Sequence, residues 1–228
     1  MIPGDFVSKT INLKLSEILH GVDSSTIVEI GAHLGTDTKE LVGKADLLET
    51  YIAVEPDYRT FPVLVDVMRD LAGETEEKSA ALIPINVAIS DETGPGQIYL
   101  SDGPIPGKER RRTDSSSIMM PRPELIQHLG CVFNKTQCHL MRLDDLCAGI
   151  RAIDLIWCDV QGAELKVVNG GRETLRLTKW FYVEVQEGRY FGQPGVKKFL
   201  RELGSEWSVE DFDGANLLLK NELWEQLS

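Results

Sequence analysis

Apolar and polar positions alternate along most of the chain in a way that predicts short buried strands separated by amphipathic helices. Residues 26–30 (TIVEI) form a β-branched run that ends at a glycine. Residues 36–42 (TDTKELV) then open a helix, with Thr36 or Asp37 suited to cap it. Residues 51–54 (YIAV) predict a second strand closed by Glu55 and Pro56, and residues 58–72 the next helix, with Pro62 in a first turn that tolerates its missing N–H. Residues 80–85 and 87–90 bracket a third strand, and residues 97–100 (QIYL) make an antiparallel fourth. From 101 to 123 the pattern gives way to Gly, Pro, Ser and charge, as in a long functional loop.

Residues 124–129 read as a short helix and 136–143 (TQCHLMRL) as a strand. The unbroken apolar run at 153–158 (IDLIWC) predicts a central strand covered on both faces. A helix over 163–169, a strand over 180–185 (WFYVEV) and a helix over 196–203 follow. The chain closes with two short strands, 208–212 and 216–219, around an Asp213-Gly214 turn. Strands alternating with helices point to an α/β class with a mostly parallel sheet. A leading helix is expected within residues 1–23, and a loop-rich insertion over 101–135.

Length adds one constraint: 228 residues is about one and a half typical domains, so a single domain over 1–228 is expected. With 24 basic and 36 acidic residues the formal charge is −12, which weighs against a broad nucleic-acid surface. Four cysteines are too few and too irregular for a disulfide framework. The start MIPGDFVSKT lacks an apolar signal core and no run of apolar residues is long enough to span a bilayer, so a cytoplasmic protein without membrane insertion is expected.

Ligands of an open α/β sheet bind beyond the carboxyl ends of its strands, so the residues just after each strand carry the chemistry. After the first stands Glu29-Ile30-Gly31-Ala32-His33-Leu34-Gly35, in which Gly31 and Gly35 allow a tight turn and a close backbone approach. A dinucleotide site would place glycine where His33 stands, so NAD is disfavoured. The acid-x-Gly-x-x-x-Gly order suits a smaller cationic nucleoside, S-adenosylmethionine (SAM). Glu55, 24 residues beyond Gly31, has the spacing of an acid that accepts ribose hydroxyls. After the central strand come Asp159-Val160-Gln161-Gly162-Ala163-Glu164, where Asp159 could touch the ligand, bind a cation or act as a base, and Glu164 could serve as a helix cap. Glu184 ends the next strand and could share a metal with Asp159 or divide base and binding roles with it.

The segments VEIGAHLG (28–35), IAVEPD (52–57), NVAISDETG (86–94), DSSSI (114–118), MRLDDL (141–146) and DLIWCDVQGAELKVVNGG (154–171) together resemble the FkbM family of SAM-dependent methyltransferases. Trp157 stands at a commonly basic position of that family and Gln161 at its usual Glu, so no base or metal-ligand role passes to residue 161. The resemblance implies a Rossmann-like class I methyltransferase sandwich of seven strands with an antiparallel last strand, and oxygen methylation of sugar or polyketide hydroxyls. Carried over by position, Glu29, Gly31, Gly35 and Glu55 line SAM, Asn86 and Val87 lie beside the adenine, and Asp159 stands at the methyl-transfer end. His33 faces either SAM or the acceptor, and is third choice as base after Asp159 and Glu184. Ser116, Ser117 and Arg111 are the candidate acceptor contacts, Arg111 as part of a run that could hold an anionic sugar. Magnesium on Asp159 and Glu184 is compatible with this set but not demanded by it. The expected acceptor is a small molecule or glycan, a homodimer is common among such folds, and a different acceptor or a non-catalytic SAM-binding module are the competing readings.

Overall fold

Helices cover both faces of one central sheet, and a second, smaller sheet is inserted before its fourth-position strand. The computed structural model of the protein describes residues 9–20, 25–74, 80–105 and 107–224; residues 1–8 and 21–23 of the expected leading segment lie outside the described residues. In chain order the first elements are α1 (Lys9–Leu19), β1 (Ser25–Ile30), α2 (Thr36–Lys44), β2 (Leu48–Val54), α3 (Phe61–Glu74) and β3 (Ala81–Ile85). The inserted part comprises β4 (Ala88–Ser90), β5 (Gly94–Asp102), β6 (Pro104–Ile105), β7 (Lys108–Arg111), α4 (Pro123–Leu129) and β8 (Val132–Arg142). The chain then continues with α5 (Leu143–Leu146), β9 (Ile153–Cys158), α6 (Glu164–Gly170), α7 (Arg172–Arg176), β10 (Thr178–Glu184), α8 (Val196–Leu203), β11 (Trp207–Phe212) and β12 (Asn216–Asn221).

The seven-stranded sheet has the order β11-β12-β10-β9-β1-β2-β3. Pairing is parallel from β10 through β3, and β12 runs antiparallel to both β10 and β11, so the last strand alone is reversed. This is the expected Rossmann-like arrangement. Side chains alternate across the sheet. Ile27, Tyr51, Leu155, Trp157 and Tyr182 pack with Leu15, Leu41 and Leu64 of α1, α2 and α3. Val28, Ile30, Ile156, Cys158, Phe181 and Val183 pack with Leu143, Val167, Leu175 and Phe199 of α5, α6, α7 and α8. All six residues of β9 are buried, which is why its sequence shows no polar alternation. Among the described residues no helix is long and apolar enough to cross a membrane.

Three local expectations need correction. Residues 87–90 do not continue the third strand: β3 stops at Ile85, the Asn86 amide donates to the Glu55 carbonyl (2.7 Å), and β4 joins a separate sheet of order β4-β8-β5. That sheet spans residues 88–142, wider than the expected 101–135 insertion, and its β8 begins at Val132 instead of 136. Much of β8 is exposed, so its alternation in sequence is weak. Finally, α2 is capped by Gly35, in the left-handed region at φ 79°, and no Thr36 or Asp37 side chain caps it.

Candidate functional site

Parallel register brings four strand ends into one row. Ile30 of β1 lies opposite Val54 of β2 and Cys158 of β9, and Cys158 lies opposite Val183 of β10. The next residue on each strand therefore stands in the order Glu55, Gly31, Asp159, Glu184 along one edge of the sheet. All four line a cavity of about 1660 Å³, whose far walls come from the insertion, the β10–α8 loop and the β11–β12 turn.

Gly31 is the centre of the row. The Gly31 N–H donates to the Val54 carbonyl (2.9 Å) and the Asp159 N–H to the Ile30 carbonyl (2.9 Å), which draws the three loops together. A Cβ on Gly31 would stand 1.8 Å from the Asp159 carbonyl oxygen, and its φ of +95° is one that other residues rarely adopt. Beside it, Glu55 is buried, and Oε2 accepts from the His33 N–H (2.8 Å) while Oε1 accepts from the Asp57 N–H (2.8 Å) and the Thr60 hydroxyl (3.0 Å). Oε1 has both lone pairs engaged; Oε2 keeps one that can accept from a ligand. Burial pushes this carboxyl up to about 7, against the three hydrogen bonds that favour its charge.

Asp159 and Glu184 stand on adjacent strand ends as neighbouring, half-buried acids of the cavity wall. Burial, and then the neighbouring Asp159 charge, push the Glu184 carboxyl well above the usual carboxylate range. Burial also raises Asp159, while the hydrogen bond from Gln161 Nε2 (2.7 Å to Oδ1) favours its ionised form. Gln186 Nε2 donates to Glu184 Oε1. His33 and Gln161, on the loops after β1 and β9, both have positive φ (49° and 53°) although neither is glycine. Such backbone is uncommon and concentrates at functional sites. His33 Nε2 lies 2.7 Å from Thr113 Oγ1, which ties the β1 loop to the insertion.

The other expected site residues divide. Val87 lines the cavity, as do Ser116 and Ser117. Both hydroxyls also make bonds within the protein. Ser116 Oγ donates to Asp57 Oδ2 (3.1 Å) and accepts from the Ser101 N–H (3.1 Å), and Ser117 Oγ accepts from the Met119 N–H (2.9 Å). Glu29, Gly35, Asn86 and Arg111 are not in the cavity wall. Glu29 is buried beneath it, accepting from the Thr38 (2.5 Å) and Tyr51 (2.7 Å) hydroxyls, and burial pushes it up to about 8. Gly35 allows α3 to pack close, since a Cβ would meet Val67 at 2.9 Å. Arg111 is exposed and pairs with Asp102 (Nε to Oδ1, 2.5 Å). Its neighbour Arg112 points the other way, into the wall. Glu164 does not cap its helix, whose N-cap is Ala163; its buried Oε1 accepts from the Gly162 N–H at 2.7 Å and so holds the turn after β9.

Two features had escaped the sequence reading. Trp157 and Tyr182, adjacent in register, stack with ring centroids 3.6 Å apart and 12° between planes, and both reach the cavity wall. The Tyr190 hydroxyl donates to the Ser115 carbonyl (2.7 Å), and paired backbone bonds at Arg122–Arg189 and Met120–Phe191 strap the insertion to the β10–α8 loop. The strand register would have revealed the first; nothing local to either segment announces the second.

For a metal, the donor set does not fit as arranged. Among the described residues no three His, Cys, Asp or Glu side chains gather into a ligand set, and the acid pair meets the donor nitrogen of Gln161. For SAM the fit is good. The bare backbone at Gly31 allows close approach, Glu55 has an acceptor site for a ribose hydroxyl, Val87 offers an apolar wall, and the Asp159 carboxyl faces the same space.

Comparison with known proteins agrees with this geometry. The family model described as methyltransferase FkbM domain matches residues 29–220. The 2-O-methyltransferase NoeI of Sinorhizobium fredii (strain NBRC 101917 / NGR234) is 34% identical over 205 residues, covering 86% of this chain and 79% of that protein. Among solved structures, methyltransferase FkbM from Methylobacillus flagellatus KT matches with a TM-score of 0.54 at 15% identity over 86% of this chain, which spans only 43% of that one. The small RNA methyltransferase HEN1 matches with a TM-score of 0.51 at 12% identity, over 97% of this chain and 26% of its own. At such identities these two structures speak for the fold alone.

Proposed function

This chain belongs to the FkbM family of SAM-dependent methyltransferases, and we propose that it methylates a hydroxyl oxygen of a sugar, either free or within a glycan or glycosylated metabolite. The similarity to a 2-O-methyltransferase supports oxygen as the methylated atom. One observation carries the chemical reading: parallel register sets Asp159 and Glu184 on adjacent strand ends in the cavity wall, next to the Gly31 turn.

Bound SAM supplies an electrophilic methyl group on a good leaving group. The protein's task is to align the acceptor oxygen and take its proton, since an alcohol ionises far above neutral pH. Asp159 is the base: the Gln161 donor favours its ionised form, and burial makes it a stronger base than a solvated aspartate. The acceptor's hydroxyl proton would pass to a carboxylate oxygen of Asp159 as the acceptor oxygen takes the methyl group. Glu55, His33, Gly31 and Val87 hold the donor, Glu55 through the free lone pair of Oε2 and Gly31 by letting it approach the backbone.

The test is transfer of labelled methyl from SAM to a panel of sugars and glycosides by the wild type and Asp159→Asn. Turnover on a sugar, lost by about a hundredfold or more in the variant with SAM affinity kept within a fewfold, is the expected result. Undiminished turnover in the variant removes Asp159 as base, and transfer to phenols or amines but not sugars overturns the acceptor class.

A further inference from the structure

The insertion places one cation in the cavity wall under conditions it cannot satisfy by itself. Arg112 follows β7, and its N–H donates to the Gly103 carbonyl (2.7 Å), fixing the backbone. Its side chain is only 6% exposed, yet it lines the cavity. Of its five N–H donors, Nη1 reaches Asp114 Oδ1 at a long 3.2 Å, and Nε is fully buried with no partner among the described residues. Asp114, at 38% exposed, is a half-solvated counterion, too weakly held to balance a guanidinium removed from water. Of the other Lys and Arg residues of the cavity, Lys197 and Lys198 are exposed and keep their own hydration, and half-buried Arg189 faces the Asp159–Glu184 pair, which already balances its charge.

We infer that Arg112 is an anion-binding residue of the acceptor site, and that the acceptor carries a carboxylate or phosphate: a uronate or a sugar phosphate in place of a neutral sugar. This rests on the sugar-hydroxyl reading above and narrows it. An oxyanion entering the cavity displaces the weak Asp114 contact and offers the forked guanidinium the paired acceptors it lacks. The adjacent Thr113 bonds His33 of the donor loop, so the anion-binding wall and the donor loop are joined by one hydrogen bond. Arg112 sits on a hairpin outside the main sheet, so its side chain can be varied without touching the strand-end row.

The experiment titrates glucuronate, glucose 1-phosphate and glucose into the full chain saturated with S-adenosylhomocysteine, by calorimetry. At least one anionic sugar should bind ten times or more tighter than glucose. Inorganic phosphate should compete with it. Arg112→Met should erase the preference, Arg112→Lys should keep part of it, and Arg176→Met, an exposed arginine of α7, should leave it unchanged. Should Arg112→Met fail to fold, the lysine variant and phosphate competition on the wild type still decide. Equal affinity for charged and neutral sugars, or a preference that survives Arg112→Met, overturns the inference. So does a loss of SAM affinity in that variant with sugar discrimination intact, since Arg112 would then serve the carboxylate of the methyl donor. Failure of S-adenosylhomocysteine to bind at all counts against the methyl-donor reading instead, so the two failures are distinct.

Discussion

Gln161 holds its side-chain nitrogen 2.7 Å from Asp159 Oδ1 while its own backbone stands at φ 53°. A non-glycine residue in that region costs on the order of 1 kcal/mol or more, and here the conformation is what turns the amide back onto the carboxylate. Gln161 is therefore a positioning residue: it favours the ionised form of Asp159 without adding another carboxylate beside the Asp159–Glu184 pair. Gln161→Glu replaces a donor by an acid, so Asp159 should hold its proton to higher pH. We expect kcat/KM to drop about tenfold at pH 7 and to recover at alkaline pH, its rising limb displaced upward by about one unit. A pH–rate profile checks this. An unshifted limb with a uniformly lower rate would mean that Gln161 only shapes the loop.

Buried carboxyls make stability depend on pH in an unusual direction. Glu29 sits beneath the site with Oε1 buried and unpartnered, and burial pushes its carboxyl up to about 8 from an ordinary 4.5. Between those values the folded protein binds more protons than the unfolded chain, so stability falls as pH rises. The contribution is intact below about 4.5 and lost by about 8. Glu29→Gln mimics the protonated acid, since its Oε1 can still accept from Thr38 and Tyr51. The variant should match the wild type at pH 5 and exceed it by a few kcal/mol near pH 9. Thermal melts across that range decide; a gap that does not vary with pH would falsify the assignment of a buried neutral Glu29.

The site was legible in sequence wherever its position depends on a strand end. Glycine after TIVEI, an acid after YIAV and Asp159 after the continuous run IDLIWC fall on one row because parallel register carries them there. What stayed hidden depends on direction. Arg111 and Arg112 are neighbours in a basic run, and only the hairpin decides that the second faces inward. Three consecutive serines look like donors to a ligand, but the Ser116 hydroxyl serves Asp57 of a loop far away in sequence, itself held by Arg59 (Nη2 to Oδ2, 2.5 Å). The second sheet shows in the sequence only as strand fragments, because β5 and β8 bury too few side chains to give a clean period of two.

Tyr190 fixes the acceptor side of the cavity to the β10–α8 loop. Its buried hydroxyl bonds the Ser115 carbonyl, and Gly162 lies against its ring. Tyr190→Phe keeps the ring and removes one bond, leaving a buried carbonyl one donor short. A loss of about 1 kcal/mol in stability is expected. Because the strap holds the insertion directly and the donor loop only through the Thr113–His33 bond, KM for the acceptor should rise severalfold while SAM affinity stays within twofold. Steady-state kinetics and SAM titration of the variant separate these; equal weakening of both ligands would place the effect on the whole cavity.

Gly31 offers the most severe test of the strand-end row. Replacing its hydrogen by a methyl group puts a carbon 1.8 Å from the Asp159 carbonyl oxygen, a backbone atom that cannot swing aside as a side chain could. The Gly31 φ of +95° adds strain that alanine meets at any spacing. Relief requires the β1 loop to part from the end of β9, which breaks the bond from the Asp159 N–H to the Ile30 carbonyl and shifts the base relative to the donor. Gly31→Ala should therefore lose stability by about 2–4 kcal/mol and lose SAM binding and turnover together, each by a hundredfold or more. Gly73→Ala, on α3 where a Cβ meets nothing within 4 Å, is the matched control and should be neutral or slightly stabilising. Parallel melts and SAM titrations of the two variants check the contrast, and wild-type SAM affinity in a folded Gly31→Ala protein would show that the donor does not lie against this turn.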